Sequence, residues 1–354
     1  MSYQVPSFPG VHLPGSVPLK DADEVFNWAN DSLVPWIHRC PDGETGDRWF
    51  WVQSQEAFFI ENPALELVEN PKNLGPMQKK FRVRKGMTPT FPGFRYPDWA
   101  KESYALFSNK RDTGELPQEM RFVVTFPHPM DAVRIYSVPE AFQQIYPAYE
   151  AQAKASLDEV LAEIPHEDLC IQWDIPSATN VYCGSDRELA FNDPMEILEA
   201  ILRAVHWVPG SVELGFHLCF GDAEAGKDKR AKIPADATDL VRLVNDIVAG
   251  AQRPIQYFHL PTWISWTEPE QFAPLKNLAL DSATELSVGV INLRRDADQT
   301  LEEAAERARR RASAVRATIG PAGVATSCGM GRHTPQQFEL ATELYRELSA
   351  EIAD

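Results

Sequence analysis

The sequence predicts an α/β fold, a single (β/α)8 (TIM) barrel that takes in all 354 residues. Three observations carry that expectation. Short apolar, β-branched segments recur eight times, and amphipathic segments of helix length separate most of them. Eight is also the number of parallel strands that closes such a barrel, and α/β barrels of roughly 250 residues or more fold as one unit.

In chain order the strand segments are GVHLPGSV (10–17), VPWIHRC (34–40), RFVVTF (121–126), LCIQWDI (169–175), SVELGFHLCF (211–220), PIQYFHL (254–260), LSVGVINL (286–293) and GVATSC (323–328). Between them the pattern predicts helices over 21–33, 139–163, 193–206, 237–250, 299–318 and 335–352, several opening on an Asp, Ser or Thr cap or an early proline. One stretch departs from the alternation. Residues 47–118, rich in Pro, Trp and Phe, lie between the second and third strands and are too long for an ordinary loop, so they read as an insertion, or lid, over one barrel end.

Composition excludes several classes. Apolar residues make up 44% and charged residues 24%, and no apolar run approaches the ~20 residues that cross a bilayer, so no membrane partner is expected. The N-terminus lacks the basic start and apolar core of a secretory signal, and five scattered cysteines suit reduced thiols, so a cytoplasmic protein is expected. A net charge of −17 argues against a nucleic-acid partner. The one basic cluster, RARRRASAVR (307–316), follows DQTLEEAAE and reads as a solvated helix with acid-to-base polarity.

Barrel enzymes place their sites where the strands end, at the C-terminal face. Those ends hold Gly15 and Ser16, Asp42 and Glu44, His128, Asp174, His217 and Cys219, His259, Asn292 and Arg294, and Cys328. Residues two apart on a strand share a side, so His217 and Cys219 would both face the mouth. Two readings stay open for that pair: metal ligands, or half-buried neighbours of which the cysteine acts as a small hydrophobe. Zinc favours imidazole and thiolate in tetrahedral geometry, and further ligands would come from other strand ends, where His259 and Cys328 stand.

Taken in order, these motifs resemble the cobalamin-independent methionine synthases, specifically their C-terminal catalytic domain, together with its single-barrel relatives in the uroporphyrinogen decarboxylase and methionine synthase-like superfamily. HLC at 217–219 matches the family's His-x-Cys zinc pair, and SCGMGR at 327–332 its late Cys-Gly segment, which implies Zn2+ held by His217, Cys219 and Cys328. IQWDIPS at 171–177 is similar to the segment whose aspartate grips the amino group of the thiol substrate, a role that would fall to Asp174. PGSVP at 14–18 resembles the first-strand Gly-Ser turn, which places Gly15 and Ser16 at the substrate. The chain has room for one barrel, as in the short methionine synthases and the epoxyalkane:coenzyme M transferases.

The departures are equally specific. The family has a glutamate where this chain reads YFHLP, so His259 would replace a carboxylate as a ligand, or else line the pocket. The glutamate after the motif's aspartate is Ile175 here, and the family's catalytic histidine falls at Arg294, which binds carboxylate, sulfonate or phosphate but shuttles no proton near neutral pH. Glu44, in PDGETGDR (41–48), is either a second amine-binding carboxylate or part of a capped Asp/Gly turn.

The resemblance implies a zinc-dependent methyl or alkyl transferase whose partners are a small-molecule thiol and an alkyl donor. If the acceptor carbon belongs to an epoxide, an acid must protonate the oxygen, and His128 or Tyr257 is the candidate. Trp49, Trp51 and Phe59 would either shape the acceptor pocket or form a satellite hydrophobic cluster. The rival readings are a metal-free uroporphyrinogen decarboxylase-like enzyme and a non-catalytic zinc protein with a closed His2Cys2 site.

Overall fold

A computed structural model describes residues 10–68, 79–184, 193–221, 234–293 and 299–353. Its strands are β1 (Val11–His12), β2 (Arg39–Pro41), β3 (Leu65–Val68), β4 (Lys80–Val83), β5 (Arg121–Pro127), β6 (Leu169–Asp174), β7 (Glu213–His217), β8 (Tyr257–Pro261), β9 (Glu285–Ile291) and β10 (Gly323–Thr326). Its helices are α1 (Ala22–Leu33), α2 (Trp51–Ile60), α3 (Tyr96–Asp112), α4 (Pro129–Tyr136), α5 (Phe142–Glu163), α6 (Pro176–Tyr182), α7 (Pro194–Trp207), α8 (Thr238–Gly250), α9 (Pro269–Phe272), α10 (Leu301–Ile319) and α11 (Pro335–Ala353).

Eight parallel strands run in the order β1-β10-β9-β8-β7-β6-β5-β2, and a parallel bridge between Val11 and Ile37 brings the two ends together into a nearly closed (β/α)8 barrel. Every predicted strand segment contributes one strand. Most are shorter than their patterns, the first two the most. The first, expected over 10–17, is extended only at Val11–His12, because Pro14 and Pro18 offer no N–H to a ladder and the chain turns across the barrel mouth, where Val17 N–H donates to Gly43 O at 2.8 Å. The second, expected over 34–40, pairs with β5 only at Arg39–Pro41.

Stretch 47–118 resolves into α2, an antiparallel β3–β4 hairpin and α3. The last of these packs against α1, α5 and β5, the place of the barrel's second outer helix. The aromatic residues between them bury one another: Phe59 is fully buried among Phe81, Phe91, Tyr136 and Tyr149, at ring separations of 4.9–5.9 Å within that group. Phe59 is therefore core, not pocket wall. Gln55 ties the cluster together, donating to Tyr96 Oη at 2.7 Å and accepting from Tyr149 Oη at 2.6 Å.

The barrel interior is filled from the bottom upward. Gly215 of β7 has no side chain because a Cβ there would come within 2.2 Å of the Tyr257 ring, which occupies the axis. Tyr257 donates to Gln172 Oε1 at 2.9 Å, and the His12 ring leans on both Tyr257 and His259. The basic helix is α10, opened by a Thr300/Glu303 capping box worth about 1 kcal/mol. Arg309 and Arg316 are paired on its surface with Glu347 and Glu351 of α11, whereas Arg311 is fully buried and donates to Trp266 O at 2.8 Å and Val290 O at 3.2 Å. No helix among the described residues is long and apolar enough to cross a membrane.

Candidate metal centre and active site

Strand register sets the rim of the mouth. Asp174 of β6 is level with His217 of β7, which is level with His259 of β8. Just past β7 the chain carries Cys219, and just past β10 it carries Cys328. Their sulfurs lie 3.3 Å apart, and the ligand atoms of His217, Cys219 and Cys328 all fall within 4.8 Å of one another. This is the group of metal-ligating side chains that the described residues assemble.

The Cys219 thiol donates to Cys328, which pushes the Cys219 thiol well up and the Cys328 thiol well down. Gly221 N–H donates to Cys219 Sγ at 3.2 Å, from a left-handed turn (φ +58°) that glycine adopts freely.

His259 does not join this group. Its Nε2 lies 3.0 Å from Thr326 O, a carbonyl that can only accept, so Nε2 carries the hydrogen and Nδ1 is bare. Bare Nδ1 lies 2.6 Å from His217 Nδ1, which must then be the donor, and His217 Nε2 is left with its lone pair for an ion. Both nitrogens of His259, expected as a fourth ligand, are thus engaged, and they fix the tautomer of His217.

His128 is also displaced from its expected role. It is fully buried as the N-cap of α4, accepting from Met130 N–H through Nδ1 at 3.3 Å while Nε2 meets Ala200 O at 3.2 Å, and burial holds its pKa down to about 3. Tyr257 is likewise spent inside the barrel.

A carboxylate pair faces the sulfurs. Asp174 is buried, and burial, with Glu44 next, pushes its carboxyl well up. Glu44 is pushed up to about 8 by burial, against the pull of Arg48 and with the push of Asp42 and Cys328. Gln172 orients Asp174, donating to Oδ1 at 2.9 Å and to Pro14 O at 2.8 Å. Gly15 comes so close to Glu44 that a Cβ would stand 3.3 Å from Oε2. Glu44 itself sits at φ +45°, a strained value for a side chain with a Cβ, held by its N–H donating to Asp42 Oδ1 at 2.9 Å. The turn reading and the site reading of Glu44 are thus the same structure.

Ser16 joins the two halves. Its N–H donates to Glu44, its O accepts from Met330 N–H at 2.6 Å, and its Oγ accepts from Gly331 N–H at 3.2 Å. Glycines at 329 and 331 make this contact feasible, since a Cβ on either would overlap Ser16 Oγ. Trp49 is 42% exposed at the rim, and the Trp51 side chain and Arg294 lie outside the described residues. A small cleft of about 30 Å3 runs off Glu44 between α3 and β5 and is lined by Asp42, Arg48, Tyr96, Trp99 and Thr125.

Sequence reasoning missed Gln172 and Ser16's triple role. Gln172 was reachable, because it stands two before Asp174 and so on the same strand face, the argument that joined His217 to Cys219.

The donors fit zinc. Two thiolates about 2.3 Å from a tetrahedral ion stand about 3.8 Å apart, a few tenths of an ångström beyond the observed sulfur separation, within the reach of small rotamer changes. No family model matches the chain, and no curated protein matches it. Among solved structures the fold is similar to a B12-independent methionine synthase from Shewanella sp. W3-18-1 in complex with selenomethionine, with a TM-score of 0.58 at 15% identity over 99% of this chain and 96% of that one. It is also similar to a methyltransferase from Methanosarcina mazei, with a TM-score of 0.55 at 10% identity over 97% of this chain and 94% of that one. At these identities the likeness is one of fold.

Proposed function

We propose that the protein is a zinc-dependent alkyltransferase, methyl transfer first, that activates a substrate thiol at the mouth of the barrel. The observation that carries this reading is the His217, Cys219 and Cys328 group, three potential ligands among the described residues with both nitrogens of His259 engaged elsewhere, a set that would leave a fourth position for substrate. A closed His2Cys2 site would need a free nitrogen on His259, and both are engaged. A metal-free decarboxylase has no use for two cysteines and an imidazole converging on one point.

Zinc bound there would supply positive charge beside the substrate sulfur, favouring loss of its proton. The remaining work belongs to the protein. His259 keeps the Nε2 lone pair of His217 aimed at the site, and Gly221 N–H steadies Cys219. Asp174 and Glu44 would receive the ammonium group of an aminothiol: burial pushes both carboxyls up, and a cation arriving between them favours their ionised forms, the protons passing to solvent, and donates charge-assisted hydrogen bonds worth about 1.5–3 kcal/mol each. Gln172 holds Asp174 in register with the sulfurs. Arg294, which follows the LSVGVINL segment in the sequence, would take an anionic group of the same substrate. Reduced thiols are needed throughout, in keeping with a cytoplasmic setting. Epoxide opening is the weaker variant, since both acids it relied on, His128 and Tyr257, are engaged elsewhere.

The test is S-alkylation of homocysteine by methyl donors carried on nitrogen, sulfur and cobalt, read by mass spectrometry. Activity that a chelator abolishes and zinc restores supports the reading. Turnover that persists without metal would overturn it.

A further inference from the structure

The rim of the mouth has a direction. Cys219 and Cys328 follow β7 and β10, Asp174 ends β6 and Glu44 follows β2, and the sheet order sets β5 and β2 beyond β6 on the side away from β7. A thiol with its sulfur at the ligand group and its ammonium between Asp174 and Glu44 therefore turns its far end toward the cleft between α3 and β5. Glu44 lines that cleft, and so does Pro127, which is level with Asp174.

The cleft is furnished with donors. Arg48 is fixed on its wall by two contacts: a terminal N–H donates to Asp42 Oδ2 at 2.8 Å, and the guanidinium lies over the Trp99 ring at 5.1 Å. The other N–H groups of this guanidinium meet no acceptor among the described residues. Asp42 makes little further demand on them, since its oxygens also accept from Ser103 Oγ at 2.8 Å and Glu44 N–H at 2.9 Å.

Tyr96 adds a hydroxyl proton. Tyr149 Oη, buried in the aromatic cluster, donates to Gln55 Oε1 at 2.6 Å, and this turns the Gln55 amide nitrogen toward Tyr96 Oη at 2.7 Å. Tyr96 Oη thus accepts from Gln55 and keeps its own proton to give, on a side chain that is half-buried in the cleft wall. The space measures about 30 Å3, and a water-sized atom needs roughly 10–15 Å3, so the cleft takes a group of about two such atoms. A guanidinium fork, a phenol proton and room for two oxygens together suit a carboxylate.

We propose that Arg48 and Tyr96 form a carboxylate subsite that selects, among aminothiols, those with a carboxylate on the carbon that bears the amino group, a role that rests on the thiol alkyl-transfer reading above. The two groups of an α-amino acid are joined through one carbon, so an ammonium at Glu44 delivers its carboxylate to the cleft that Glu44 lines. Arg48 and Tyr96 set specificity and take no part in the transfer of the alkyl group.

The test compares homocysteine with 3-aminopropane-1-thiol, the same chain without the carboxylate. Zinc-loaded wild type, Arg48→Gln and Tyr96→Phe are titrated with both thiols by calorimetry, with zinc content and denaturant unfolding measured on the same samples. Wild type should bind homocysteine about 100-fold more tightly than the carboxylate-free thiol, and that preference should fall about 30-fold in Arg48→Gln and about 10-fold in Tyr96→Phe. If Arg48→Gln does not fold because Asp42 has lost a donor, Tyr96→Phe decides, since the ring keeps its packing on Phe94, Trp99 and Phe126. A preference that falls in Arg48→Gln alone would overturn the part of Tyr96. An unchanged preference in the variants, or a wild type that binds both thiols alike, would overturn the subsite and leave the thiol reading standing. Failure of the wild type to bind either thiol would overturn both.

Discussion

The two ends of the barrel carry charge in opposite ways. At the bottom, Arg39 reaches Glu213 at 2.6 Å and Glu285 at 2.9 Å, Arg121 reaches Glu213 at 2.9 Å, and Arg39 lies over the Tyr257 ring. Burial pushes Glu285 up, but His38 and Arg39 outweigh it and hold the carboxyl down to about 2. At the top, Asp174, Glu44 and Asp131 are all pushed up by burial, Asp131 to about 7, with one Asp131 oxygen accepting from Ser177 N–H and the other unpartnered. The bottom is a closed ionic plug that stabilises the fold. The top leaves carboxylates and thiols short of partners, which costs stability and prepares a site, the division expected between the two faces of a barrel enzyme.

The largest effect that would break this contrast is at the top. Cys219→Ser or Cys328→Ser should weaken zinc at least about 100-fold, measured by competition with a chromophoric chelator, because a neutral hydroxyl replaces a thiolate. At the bottom, Glu285→Gln should destabilise by about 3 kcal/mol at pH 7 while leaving zinc content unchanged. The sign follows from its lowered pKa: the carboxylate's contribution is present above about 4.5 and fades as pH falls toward 2, so the gap between wild type and variant in denaturant unfolding should close over that window. Asp174→Asn should raise KM for an aminothiol about 30-fold, near 2 kcal/mol, with little change for a thiol that lacks the amino group.

The smallest effect has the opposite sign. Asp131, raised from an ordinary 3.8 to about 7, adds stability below pH 3.8 that is lost as pH rises to 7. Asp131→Asn should therefore be more stable than wild type at pH 8 by about 1–2 kcal/mol, the Ser177 hydrogen bond offsetting part of the gain, with the advantage vanishing near pH 4. Thermal unfolding at the two pH values checks it.

How much of this was legible in the sequence depended on whether a residue acts through its spacing or through what it meets in space. The eight strands and the His217, Cys219 and Cys328 group follow from alternation and from the rule that strand ends face the mouth, and each appears in the fold. His259 stands at a strand end too, but its part is decided by a backbone carbonyl 67 residues away, at Thr326, which no local pattern reveals. Glu44 belongs to a turn and to the site at once because its left-handed backbone aims the carboxylate at Gly15. His128 was readable after all: a proline at the first helical position makes the residue before it an N-cap, and its ring was committed to Met130 N–H. The part of α3 within 47–118 was hidden by prolines and aromatics that look like loop and pack like core.

The most direct test of the central claim is zinc K-edge X-ray absorption of the zinc-loaded protein, before and after homocysteine. The account predicts two sulfurs and one imidazole from the protein at first, and a third sulfur once the thiol is added. A shell with two imidazoles and two sulfurs that the thiol leaves unchanged would contradict it.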